Sequence, residues 1–140
     1  PLKPRRRWDD GRNVVLAGDA AGVVAPASGE GIYYAMLTGR LAADAVAEAL
    51  ARDNPKAMAM ARRRFMRQHG HVFWVLGMMQ HFWYRSDARR ERFVAMCRDK
   101  DVQRLTFEGY MRKKLVFGRP FAHLKIAIKD VAHLLGLVRA

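Results

Sequence analysis

The chain has little cysteine: Cys97 is the only one among 140 residues. That excludes an internal disulfide and any multi-cysteine zinc site, and a lone thiol suits a reducing compartment. Acid is scarce as well. Thirteen Asp and Glu stand against 26 Lys and Arg, for a formal net charge of +13. No long apolar run occurs. The longest, Val72–Tyr84, spans 13 residues and is interrupted by Gln80 and His81, whereas a helix crossing a bilayer needs about 20. No transmembrane span is expected, and a peripheral membrane contact stays open. There is no signal-peptide pattern, internal repeat or low-complexity segment. The chain opens at Pro1 without a methionine, which suggests a piece of a longer sequence.

What is present is a 51% hydrophobic chain, long enough for a real core and too apolar for a disordered tail. Its charge falls in clusters at Arg5–Arg7, Arg62–Arg64, Arg89, Arg90 and Arg92, and Arg112–Lys114. Such clusters attract anions: nucleic acid, acidic lipid, a phosphorylated substrate or an acidic partner. Solvated helix faces are the plainer account of any one of them.

The order of elements reads as follows. Asp10-Gly11 signals a turn. Val14–Ala17, with two β-branched valines between turn residues, predicts a short buried strand that Gly18-Asp19 ends. Residues 20–30, rich in glycine, read as a loop. From Gly31 the period turns helical, and Ile32, Ala35, Met36, Gly39, Ala43, Val46 and Leu50 predict one buried apolar face. Asp53-Asn54-Pro55 stops that helix, and Asn54 with Pro55 starts another that runs to about Gln68. Gly70 predicts a break or bend before the aromatic stretch. Ser86 or Asp87 caps a helix over Arg89–Cys97, and Asp101 another over Val102–Leu115. Leu124, Ile128, Val131, Leu135 and Val138 predict a last amphipathic helix. A single buried strand needs neighbours to pair its backbone, so this pattern predicts part of a larger sheet.

The stretch that carries chemistry is VVLAGDAAGVVAPASGEGIYYAM, Val14–Met36. A strand end would bring Asp19 to a sheet rim, where α/β folds bind ligands. Glycines at 18 and 22 would let backbone approach a ligand, and Pro26 stiffens the loop. Gly29-Glu30-Gly31 opens a helix whose first amides lack internal partners and favour an anion or an electron-rich carbonyl. A carboxylate beside such a helix start suits a ligand with hydroxyls at one end and electron-rich atoms at the other. A tight turn with Asp19 merely capping explains the same spacing.

GDAAGVVAPASGEGIYYAM resembles the second flavin-binding motif of the p-hydroxybenzoate-hydroxylase-like flavoproteins, in the form found in geranylgeranyl reductases. RWDDGRN before it resembles the chlorophyll and bacteriochlorophyll branch of those reductases, as do RRRFMRQHGHVFWVLGMMQHFWYRSDARRERFVAMC and DVQRLTFEGYMRKKL after it. The resemblance covers essentially the whole chain. It implies an α/β flavoprotein fragment: residues 1–53 as the C-terminal piece of a Rossmann-like FAD-binding domain, and 54–140 as a mainly helical C-terminal region. It implies FAD and NADPH as cofactors, with Gly18 and Asp19 at the ribityl chain and Pro26, Ser28, Gly29, Gly31 and Ile32 near the flavin ring. It further implies reduction of geranylgeranyl double bonds to phytyl, on a prenyl diphosphate or prenylated tetrapyrrole. The place would be the cytoplasmic side of a photosynthetic membrane, with peripheral contact and no nucleic acid. The family's G-x-G-x-x-G has no counterpart here, since Gly29 and Gly31 form a lone G-x-G. The chain by itself is therefore expected to bind FAD poorly and not turn over. Another flavoprotein of the superfamily, or a basic non-enzymatic binding module, are the alternative readings.

Other candidates have plain explanations. Phe73, Trp74, Phe82, Trp83 and Tyr84 are core aromatics or, alternatively, a prenyl wall or membrane patch. His69 and His71 would diverge on a helix, no carboxylate completes a site, and no metal is expected. His123 and His133 lack a third ligand. Glu30 is a helix-start carboxylate or a general acid, and Cys97 reads as a buried small hydrophobe.

Overall fold

The computed structural model describes residues 3–113 together with 128, 131 and 132. The chain divides into two compact units, Pro1–Met78 and Met79–Ala140. The described residues are mainly helical: α1 is Ile32–Ala51, α2 Met60–Trp83, α3 Asp87–Met96 and α4 Lys100–Arg112.

The strand expected at Val14–Ala17 does not form among the described residues. One antiparallel bridge, Asp9 with Val15, takes its place. The Leu16 amide donates to the Trp8 carbonyl at 2.6 Å and the Asp10 amide to the Val14 carbonyl at 3.2 Å. The reason is local. Among the described residues the expected strand pairs only with residues 8–10, and these reverse at once through the Asp10-Gly11 turn. The Asp10 carboxylate accepts from the amides of Arg12, Asn13 and Val14 at 2.9, 3.0 and 3.0 Å. Those donors, Val14 first and then Arg12, hold its pKa below the usual carboxylate value. With nothing further to pair, the ladder stops at one rung.

In the first unit α1 runs where its period predicts, but it buries a different face. Tyr34, Thr38, Leu41, Ala42, Ala45 and Ala49 point inward. Ile32, Met36 and Leu50, expected inside, are 80%, 74% and 78% exposed, and Gly39 and Ala43 are exposed too. The helix is apolar nearly all round. Its charged residues Arg40, Asp44 and Glu48 form one stripe at four-residue spacing, which leaves two apolar faces. Packing chooses between them, because the aromatic row of α2 accepts Tyr34: it meets Phe73 edge-on at 4.9 Å and Phe65 at 6.0 Å between centroids.

Asn54 caps as expected, its side chain accepting from the Lys56 amide at 3.2 Å, and Pro55–Ala59 makes a 3₁₀ turn into α2. The break expected near Gly70 is absent. α2 is continuous to Trp83. A helical glycine costs about 1 kcal/mol, but burying Phe65, Val72 and Phe73 on one face contributes about 1.5–3 kcal/mol each, so packing wins. Trp8 and Phe65 are both fully buried with ring centroids 5.2 Å apart, and they centre this core.

In the second unit Trp83, Met96 and Val102 are buried together, with Met79 and Phe93 against them. Ser86 caps α3, its hydroxyl accepting from the Arg89 amide at 3.4 Å. Asp99, not the expected Asp101, caps α4 by accepting from the Asp101 amide at 2.8 Å. Cys97 is exposed rather than buried, since it lies just past α3, though partial desolvation still pushes its thiol pKa up. The aromatic run splits by helical angle. Phe73 and Trp83 are core, while Trp74, Phe82 and Tyr84 are exposed. The helix expected over Leu124–Val138 lies outside the described residues, apart from three of its positions.

Phe65→Ala should lower unfolding stability by about 3–5 kcal/mol, whereas Gln68→Ala, exposed on the same helix, should change it by about 0.5 kcal/mol or less. Denaturant melts of the two variants test this.

Candidate functional site

The site begins with a 3₁₀ turn, Gly18–Ala21, laid against α1. The Gly18 amide donates to the buried Thr38 hydroxyl at 2.9 Å, and that hydroxyl donates in turn to the Tyr34 carbonyl at 2.7 Å. Gly18 has φ +55°, and a Cβ there would sit 3.3 Å from the Ala35 Cβ. Gly22 has φ +77°, and a Cβ there would lie 2.3 Å from the Lys3 carbonyl oxygen. Both glycines thus have a reason inside the chain: one lets the turn touch α1, the other lets the N-terminal segment cross the turn.

Asp19 is exposed on the outside of this turn. Its Oδ1 is 3.6 Å from where a Cβ on Gly31 would be, which sets the carboxylate beside the start of α1. The two features that the sequence separates by twelve residues therefore meet in space.

The connecting loop is closed on itself. The Ala25 amide donates to the Glu30 carbonyl at 2.8 Å, and the Gly29 amide donates to the Ala25 carbonyl at 3.0 Å. Pro26 is buried, and the Ser28 amide donates to the Pro26 carbonyl at 2.8 Å around Ala27, which has φ +65°. A non-glycine residue in that region costs about 1–2 kcal/mol. Ser28 and Gly29 are exposed, and Gly29 has φ +68° with open space where a Cβ would be.

Glu30 turns back onto the helix start, its carboxylate accepting from the Tyr33 amide at 3.0 Å. That is the capping role favoured at the positive end of a helix. Among the described residues the Gly31 and Ile32 amides take no hydrogen-bond acceptor. The corner thus offers a carboxylate that accepts, two amides that donate, and an open approach over Gly29. Such a set suits a ligand with hydroxyls beside an electron-rich ring edge, and a flavin with its ribityl chain fits it.

Beneath the corner lies Tyr34. Burial first, then the Glu30 carboxylate and Tyr33, raise its phenol pKa to about 12. His69 is buried against the rings of Tyr33, Tyr34 and Phe65, a packing role. Among the described residues no group of three or more His, Cys, Asp or Glu could hold a metal ion. Thr38 and Tyr34 went unnoticed in the sequence. The available signal was a lone hydroxyl on a small-residue face, four positions after Tyr34.

Comparison with known proteins gives the context. The chain is 57% identical over 138 residues to a geranylgeranyl diphosphate reductase of Rhodobacter capsulatus, a match covering 99% of this chain and 35% of that protein. It is 40% identical over 138 residues to the chloroplastic geranylgeranyl diphosphate reductase of Oryza sativa, covering 96% of this chain and 30% of that protein. The chain belongs with the geranylgeranyl diphosphate reductases. The Synechocystis protein of that name agrees, at 39% over 139 residues, 96% of this chain and 34% of that protein. The chain spans about a third of the length of these curated reductases. No family model matches it, and no solved structure does either. As the resemblance of RWDDGRN and of the blocks after the Asp19 segment implied, the likeness to these reductases runs the length of the chain.

Thr38→Val should strand the buried Gly18 amide and cost about 1–3 kcal/mol, while Thr38→Ser should recover most of the loss; paired melts decide it. In an alkaline titration followed by tyrosinate absorbance, Tyr34 should ionise near 12, and Tyr34→Phe should remove that late step. A raised folded pKa means its stabilisation is present below the ordinary value of 10.0 and is lost as pH climbs through about 12.

Proposed function

We propose that this chain supplies one corner of the FAD site of a geranylgeranyl reductase, which converts geranylgeranyl groups to phytyl in chlorophyll or bacteriochlorophyll synthesis. The observation that carries the reading is the meeting of Asp19 with the open start of α1, in a chain so close to named reductases. In this reading Asp19 accepts hydrogen bonds from ribityl hydroxyls, with Gly18 fixing the turn. The Gly31 and Ile32 amides face the electron-rich end of the ring, where the dipole of α1 favours negative charge. Pro26 and Ser28 shape the loop, and Gly29 leaves room for close approach. Bound FAD supplies hydride chemistry, with NADPH as the source of electrons.

Residues 1–53 belong in this reading to a Rossmann-like FAD domain and 54–140 to a helical region. The remainder of the polypeptide supplies the phosphate-binding glycine motif, the sheet that pairs with Val14–Ala17, and the cover for the outer face of α1. The substrate is a prenyl diphosphate or a prenylated tetrapyrrole. No helix among the described residues is long and apolar enough to cross a membrane, and the basic surface favours peripheral contact with the cytoplasmic side of a photosynthetic membrane. A superfamily relative acting on another prenyl lipid or on an aromatic ring would use the same corner. A basic binding module would have no use for it.

In the complete polypeptide, Asp19→Ala should weaken FAD binding at least about tenfold, or roughly 1.4 kcal/mol, with circular dichroism unchanged because the side chain is exposed. Flavin fluorescence titration reads the affinity, and NADPH-driven reduction of geranylgeranyl diphosphate should fall with it. Unchanged flavin affinity would remove the corner from the cofactor site.

A further inference from the structure

The face of α1 that carries Gly31, Ala35 and Thr38 is a track for the 3₁₀ turn. Helical spacing sets these residues in one row along the helix. Gly18 and Asp19 step along that row in reverse. The Gly18 amide meets the Thr38 hydroxyl at 2.9 Å. A Cβ on Gly18 would stand 3.3 Å from the Ala35 Cβ, and a Cβ on Gly31 would stand 3.6 Å from the Asp19 Oδ1. One residue of the 3₁₀ turn thus spans about one turn of helix, roughly 5.4 Å. The Asp19 side chain supplies the reach beyond the backbone step of about 3.8 Å.

Thr38 is the polar member of this row, and it is fully buried. Its hydroxyl has one proton, which is engaged by the Tyr34 carbonyl at 2.7 Å. Toward the 3₁₀ turn the oxygen can therefore only accept. The bond to the preceding helical turn also fixes the side-chain rotamer, which aims a lone pair at the Gly18 amide. Gly31 and Ala35 let the 3₁₀ turn lie close. Thr38 decides where along the row it stops.

Other bonds of the 3₁₀ turn do not set this register. The Gly22 amide donates to the Asp19 carbonyl at 3.0 Å and the Val23 amide to the Gly18 carbonyl at 3.4 Å. These fix its shape and would survive a slide along α1. The bond from Gly18 to Thr38 would not. A buried amide without an acceptor is costly, and Gly18, at φ +55°, has the backbone freedom to swing toward water once the acceptor is gone. Asp19 is the next residue and moves with it.

We propose that Thr38 is a positioning residue for the cofactor corner: its hydroxyl sets the place of the Asp19 carboxylate relative to the Gly31 and Ile32 amides. Thr38 acts through Gly18 and Asp19 and has no contact with the ligand. This role rests on the flavin reading of that corner. It adds the residue that fixes the spacing between the group accepting ribityl hydroxyls and the amides facing the ring.

The test uses the complete polypeptide and FAD. Thr38→Val keeps the shape and removes the acceptor, and it should weaken FAD binding about tenfold, read by flavin fluorescence. It should also lower the flavin midpoint potential, because a ring shifted off the start of α1 loses the dipole's support for its reduced, negative form. Thr38→Ser keeps the oxygen and should return affinity to within about threefold and restore the potential. Val72→Ala, buried in the same unit but on α2, should lower the melting temperature while changing affinity less than about twofold. In an Asp19→Ala background, Thr38→Val should change affinity less than about twofold, since two groups acting through one contact are not additive. A loss in Thr38→Val no larger than in Val72→Ala, or one undiminished in the Asp19→Ala background, would overturn the role of Thr38 and leave the corner standing. Unchanged affinity in Asp19→Ala alone would remove the corner and the role with it. If Thr38→Val does not fold, Thr38→Ala removes the same acceptor and is read by the same outcomes.

Discussion

The Thr38 hydroxyl holds the first unit in register. It takes the Gly18 amide and gives its own proton to the Tyr34 carbonyl, so one buried oxygen joins the 3₁₀ turn to α1. Everything proposed for this unit hangs from that joint. On one side of the turn, Asp19 is presented to the start of α1. On the other, the Ala21 carbonyl receives the Arg5 amide, and Arg5 receives Arg62. A shift of the turn would move the Asp19 carboxylate and the Arg5–Arg62 contact together. A buried hydroxyl with donor and acceptor both satisfied is rigid, which is what a site made from three distant stretches of chain requires.

The glycines sort themselves by what surrounds them. Gly18 and Gly22 are crowded by Ala35 and by the Lys3 carbonyl, and Gly29 faces open space. All three have positive φ, yet only the last is unexplained by contacts of the chain itself. The loop that carries it also strains Ala27. Strain without a packing reward is expected where a ligand must approach, so the flavin reading rests better on Gly29 and Gly31 than on the two crowded glycines.

Much of this was legible in the sequence where one local rule decides the outcome. The Asp10-Gly11 turn, the Asn54-Pro55 start and the Ser86 cap each depend on side chains bonding to amides a few residues away. The extent of α1 followed from its period and its stop signal. What failed needed a tertiary partner to decide. The face of α1 could not be chosen from periodicity, because its single charged stripe leaves two apolar faces and the α2 aromatics select one. Gly70 looked like a break until the packing of Phe65 and Phe73 outweighed its cost. Thr38 was invisible as a joint because its partner, Gly18, is twenty residues away.

The strand and the helix face failed for a common reason. Val14–Ala17 has the composition of a buried strand but forms only one bridge, and Ile32, Met36 and Leu50 have the composition of a core but face outward. Each is an apolar surface without its second layer, and domains are built by covering such surfaces with another layer. A strand satisfies its backbone only beside other strands, and a helix apolar all round is one buried on both sides. A chain that matches a third of each reductase can carry both signals while satisfying neither. In the reading proposed above, the two misfits argue in the same direction: one further sheet would pair with the first and cover the second. Asp19 lies between them, at the end of the would-be strand and beside the start of the half-covered helix, which is where an α/β layer puts its ligand.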